Sequence, residues 1–193
     1  MTTMLDKPPI SGQYEEIFFE LDDEWRGQNW HYVLFSTSDG QEWCGHFREK
    51  ESNNFLMAEL QDKKHACVVS GGHGYIIDID KKAKIKDLNT DKIISLASDN
   101  LSSFIIATYW NIHRIDKDFN ELEINLPMQA DGIHFLDIKD KRLLLEIEEI
   151  GADMKRNNGF YIDLNEWTIK NTGHNSTLQK AGRTWWQKFF GTE

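Results

Sequence analysis

The sequence predicts an all-β fold, and three observations carry that prediction. Short apolar runs recur in a fixed order, with residues 55–60, 93–97 and 133–138 opening three units 38 and then 40 residues apart. Each opening run leads through a polar turn to a second apolar run, at 66–69, 104–107 and 143–145. A third run then ends on Asp or Asn, at Asp80, Asp116 and Asn165, before a polar-faced fourth. Four short strands in about 40 residues is the period of a propeller blade or a similar β-meander.

The elements follow in order. Residues 1–13, which include Pro8 and Pro9, read as a flexible N-terminal arm. Residues 14–182 read as a single β domain, since 193 residues suffice for one full core. Runs at 15–21, 30–35 and 42–47 predict a three-stranded meander, with Ser38, Asp39 and Gly40 supplying a hairpin turn. That meander and the three later units predict an antiparallel array of three to four blade-like units. A small or incomplete propeller, a curled sheet and a two-sheet sandwich all satisfy it.

The closing runs alternate with period two. Lys82, Lys84 and Lys86 interleave with Ala83 and Ile85, and Leu122, Ile124 and Leu126 interleave with polar residues. One wet face and one dry face is the pattern of an antiparallel outer strand, with lysines guarding its edge. Residues 183–193 read as an aromatic C-terminal helix or tail. Trp185, Trp186, Phe189 and Phe190 share one helical face, which predicts docking on the domain's own sheet. A partner-binding or membrane-surface anchor is the other use of such a face.

Composition narrows the function classes. The chain holds 32 Asp and Glu against 22 Lys and Arg, for a net charge of −10. Nucleic-acid binding needs a basic footprint, and this field opposes it. An acidic surface instead suits a basic protein partner, through complementary steering. The N-terminus lacks the apolar run of a signal peptide, no stretch approaches the ~20 apolar residues of a membrane span, and two cysteines make no disulfide framework. A cytoplasmic protein without cofactor is the expectation.

Candidate chemistry is sparse. Cys44 with His46, and His65 with Cys67, each place a thiol and an imidazole two residues apart. Two such pairs on adjacent strands would supply a Cys2His2 zinc set, but the spacing matches no known zinc ligand pattern, so no metal is expected and the cysteines read as core packing. Gly71, Gly72 and Gly74 flank His73, but a strand follows rather than the helix a phosphate loop needs. The glycines therefore predict a tight turn with His73 exposed on it. Asp116, Asp118 and Asn120 open like a calcium loop, but Glu121 and Pro127 stand where that loop needs Gly and Glu. No nucleophile elbow, zincin or P-loop pattern is present, and no residue is assigned a catalytic role.

The leading functional expectation is a non-catalytic, acidic binding protein of immunity or antitoxin type, neutralising a basic toxin or nuclease. Its partner surface is expected at Asp22, Asp23, Glu24 and Trp25, where acid flanks an aromatic, together with His73. The alternative is an enzyme or ligand-binding module with its site at the mouth of the fold, built from His73, Asp78, His113 and Asp116.

Overall fold

The structure is a computed structural model that describes residues 2–20, 29–99, 101–149 and 157–172. Among these residues every regular element is a strand, sixteen in all. In chain order they are β1 (Thr2–Leu5), β2 (Glu15–Phe19), β3 (Trp30–Ser36), β4 (Glu42–Arg48), β5 (Phe55–Glu59), β6 (His65–Ser70), β7 (His73–Asp78) and β8 (Ala83–Asp87). The second half holds β9 (Ser95–Ser98), β10 (Phe104–Ala107), β11 (Ile112–Ile115), β12 (Glu121–Ile124), β13 (Ala130–Lys139), β14 (Arg142–Glu149), β15 (Asn157–Asp163) and β16 (Thr168–Asn171). They form four four-stranded sheets, and the three repeated units are the last three: β5-β6-β7-β8, β9-β10-β11-β12 and β13-β14-β15-β16, each an antiparallel meander. The blade-like reading holds for all three.

The first sheet differs. Its order is β1-β3-β4-β2, with β2 running parallel to β4 and β1 antiparallel to β3. The expected arm is therefore corrected over Thr2–Leu5, which is a strand paired with Tyr32–Phe35. The expected three-stranded meander is corrected to one hairpin, β3-β4, flanked on both sides by strands from earlier in the chain.

The sheets stack face on face. Phe19, Val33, Phe35, Trp43 and Phe47 of the first sheet meet Ala66, Val68, Tyr75 and Ile77 of the second. The opposite face of the second, with Cys67, Val69 and Ile76, meets Phe104, Ile106 and Ile115 of the third. The other face of the third, with Ile105, Ala107 and Ile112, meets Leu143, Leu145, Ile147 and Ile162 of the fourth. Strict alternation explains this, because consecutive residues of β6 and β10 feed opposite interfaces and both faces of the two middle sheets are dry. Among the described residues no core cluster joins the fourth sheet to the first.

Two anchors fix these interfaces. The Trp43 indole N–H donates to the Ile79 carbonyl at 3.0 Å from within the first interface. Ser95 Oγ donates to the Ile133 carbonyl at 2.9 Å and accepts from the Phe135 amide at 3.3 Å, tying the third sheet to the fourth.

The predicted alternation of the fourth strands is corrected at β8. Ile85 is exposed, while Lys84 and Lys86 are half-buried and reach Asp87 at 2.7 Å and Glu121 at 3.5 Å. The β7–β8 register shifts between Ile76 and Ile77, and an irregular pairing breaks a strict period of two. No helix among the described residues is long and apolar enough to cross a membrane. The aromatic tail at 183–193 lies outside the described residues.

Candidate functional site

One end of the stacked sheets gathers the connector between β4 and β5, the β6–β7 turn, the connector between β8 and β9, and the β10–β11 turn. Backbone hydrogen bonds lace these segments together. The Glu51 amide donates to the Gly71 carbonyl at 3.0 Å, Gly71 to Asn54 at 2.8 Å, Ile93 to Gly72 at 3.0 Å and Ile94 to Ala107 at 2.8 Å. The Asn54 side-chain amide adds a bond to the Ile93 carbonyl at 2.9 Å. Between them lies a groove of about 380 Å³, walled by Glu51, Ser52, Asn54, the two glycines, Lys92–Ile94 and Tyr109.

The glycines are required here. Gly71 and Gly72 sit at φ 60° and 84°, the left-handed pair that a two-residue hairpin turn demands. A Cβ on Gly71 would lie 2.3 Å from the Lys50 amide nitrogen, so the β4–β5 connector approaches only because that atom is missing. The tight-turn reading of this segment is thus the one the structure adopts.

Tyr109 and Trp110 project beside the groove, 44% and 50% exposed, with ring centroids 5.8 Å apart. Their turn is held from beneath by buried Thr108. Its hydroxyl accepts from the amides of Trp110 and Asn111, both at 3.0 Å, and its own amide donates to the Asn111 carbonyl at 2.9 Å. The Lys92 ammonium stands 5.9 Å from the Trp110 ring centre, a cation over an aromatic face. The internally bonded turn thus holds two large aromatics half in water on an ordered backbone.

His73 opens β7 just after the Gly71–Gly72 turn, and its expected exposure is corrected. The residue is only 7% exposed. Nδ1 lies 3.1 Å from Asp91 and Nε2 3.1 Å from Asp87, and the ring packs edge-on to Tyr75 at 4.8 Å. Lys50 and Lys84 complete the cluster, at 2.8 Å from Asp91 and 2.7 Å from Asp87. Burial works against the charge on each aspartate, yet the hydrogen bonds from Lys84 and His73 hold Asp87 below the usual carboxylate range, and those from Lys50 and His73 do the same for Asp91. Burial and the nearby Asp87 charge push the Tyr75 phenol up. His73 is therefore a clamp that ties the β8–β9 connector to β7, and the connector is a groove wall.

The alternative site does not assemble. His73 and Asp78 are the two ends of β7, about 16 Å apart at 3.3 Å per residue. Asp78 is taken by Lys81 at 2.8 Å, and Asp116 accepts from the amides of Asp118 and Asn120 in a local turn, both at 2.9 Å. His113 stands opposite Glu123 on β11.

The four zinc candidates also lie apart. Cys67 and His65 face the third sheet, with Cys67 in that interface and the His65 ring 5.3 Å from Phe119. Cys44 and His46 lie on the far face of the first sheet, where His46 Nε2 is 3.0 Å from Glu16 Oε2. The two pairs are separated by the whole first interface, about 10 Å thick, while zinc–sulfur bonds are about 2.3 Å. Burial, helped by Glu16, raises the Cys44 thiol to about 11, and burial raises Cys67 further. No group of three or more His, Cys, Asp or Glu placed so as to hold a metal ion occurs among the described residues. Asp22, Asp23, Glu24 and Trp25 lie outside the described residues.

No family model matches this chain. No curated protein matches it at a significant level. Solved structures with similar strand arrangements include hydrazine synthase from Kuenenia stuttgartiensis, at 12% identity and TM-score 0.47 over 64% of this chain and 36% of that one. The N-terminal domain of Nup159 is similar at 10% identity and TM-score 0.48, over 67% and 36%. The β-propeller domain of Cps50 (Swd1) from Myceliophteria thermophila is similar at 11% identity and TM-score 0.44, over 63% and 38%. The chain thus spans little more than a third of each of these structures.

Sequence reasoning missed Tyr109 and Trp110 as a surface. A signal was present: Thr108 and Asn111 bracket the pair with turn chemistry between two apolar runs.

Proposed function

We propose that this protein is a non-catalytic binding module that docks a protein partner on the end of the sheets bearing Tyr109 and Trp110. The observation that carries the reading is that pair, half exposed on a turn locked by Thr108 beside a backbone-walled groove. Tyrosine and tryptophan are the residue types that dominate binding energy at protein interfaces, and they do so from rigid positions. The net charge of −10 favours a basic partner, of which a toxin or nuclease held off its target is the case proposed. The protein would act by occupancy, covering a surface its partner needs.

The test is affinity capture of partners from the native host with the full chain, compared with Tyr109→Ala/Trp110→Ala and with Leu101→Ala at the opposite end. A basic partner retained by the parent and by Leu101→Ala, and lost by the double variant, supports the proposal. A partner that binds all three alike places the interface elsewhere.

A further inference from the structure

The first and fourth sheets each leave one face outside the three core clusters, and these two faces differ in chemistry. On the first sheet, cross-strand register sets Leu5, Tyr32, His46 and Phe18 in one row. The next row holds Leu34, Cys44 and Glu16. Phe18 is 55% exposed, its ring 4.2 Å from His46 and 5.7 Å from Trp30. On the fourth sheet the corresponding rows carry Asp137, Leu144, Tyr161 and Lys170, then Arg142 and Asp163. There the Arg142 guanidinium lies 4.9 Å from the Tyr161 ring centre and Lys170 3.5 Å from Asp163. One end of the stack is aromatic; the other is charged and self-satisfied, as a terminal unit facing water should be.

We propose that the chain's own C-terminal segment, residues 173–193, covers the aromatic outer face of the first sheet. The segment follows Thr172, just past β16, so it leaves from the fourth sheet. It carries Trp185, Trp186, Phe189 and Phe190, together with Lys180, Arg183 and Lys188. Covering the fourth sheet would strip water from Asp137, Arg142 and Lys170, whereas covering the first removes water from Phe18, Trp30 and Tyr32. The basic side chains of the segment also find Glu16 on the first face. Reach is sufficient, because the 12 residues before Trp185 extend up to about 40 Å. Three inter-sheet spacings of about 10 Å each bound the span from fourth sheet to first at about 30 Å.

The experiment places a photoreactive benzoylphenylalanine at position 18 of the full chain, in a dilute mixture of isotopically light and heavy protein, with the same probe at Tyr161 as control. The expected product is a link from position 18 to residues 173–193 within one molecule, and no such link from position 161. Links that mix light and heavy chains would show that a second copy covers the face, and links to other segments or equal capture from position 161 would overturn the proposal. Trp185→Ser/Trp186→Ser in the full chain gives a second readout. The His46 ring resonances should shift, and unchanged His46 resonances would contradict the assignment.

Discussion

Trp43→Phe tests the packing of the first sheet on the second, which every later statement about the groove presupposes. Trp43 is fully buried, stacks on Phe35 at 4.5 Å and donates its indole N–H to the Ile79 carbonyl at 3.0 Å. Phenylalanine keeps an aromatic ring but has no donor. The Ile79 carbonyl keeps the Lys82 amide at 3.3 Å, so the lost indole bond costs about 0.5–1.5 kcal/mol. The smaller ring leaves roughly 40 Å³ unfilled, which at ~24 cal/mol per Å³ adds about 1 kcal/mol. The expected loss is about 1.5–2.5 kcal/mol, read as a lower urea midpoint at unchanged slope. Trp110→Phe, at a half-exposed site, should stay within about 0.5 kcal/mol. Equal small effects at the two positions would mean that Trp43 is not locked between sheets.

Other consequences are as definite. Gly71→Ala forces a side chain into left-handed φ and against the Lys50 backbone, so it should cost about 2–4 kcal/mol in thermal or urea unfolding. Asp87 and Asp91 have depressed folded-state values, so their contribution is present above the ordinary carboxylate range near 3.9 and is lost as pH falls through the folded values. Asp87→Asn/Asp91→Asn should therefore lower stability at neutral pH and flatten its fall on acidification below about pH 4, measured by urea unfolding across pH. Cys44 and Cys67 should resist a thiol reagent at pH 8 in the folded protein and both react in denaturant, since burial keeps them as thiols. A fast native reaction at either cysteine would contradict its burial.

Much of the fold was legible because it is local. In the three repeated sheets each strand pairs with its chain neighbour, so the order of apolar runs and turns is the topology itself. In the first sheet the strands β2, β3 and β4 were legible, but of their pairings only β3-β4 was. Pairing β2 parallel to β4, and β1 to β3, each across one intervening strand, depends on contacts that leave no period in the chain. Thr2–Leu5 shows no alternation that marks a strand. The candidate site was less legible for the same reason. His73 looked like a turn residue because Asp87 and Asp91, which enclose it, come 14 and 18 positions later. Lys86 looked like an edge guard because its carboxylate partner, Glu121, comes beside it only once the second and third sheets are packed.

The binding-end proposal meets its most direct test in amide hydrogen exchange of the complex with the captured partner. Protection should rise at 71–72, 92–94 and 109–111, and stay unchanged at the opposite turns 61–64, 116–120 and 140–141. A footprint on those opposite turns, with none around Tyr109 and Trp110, would contradict the account.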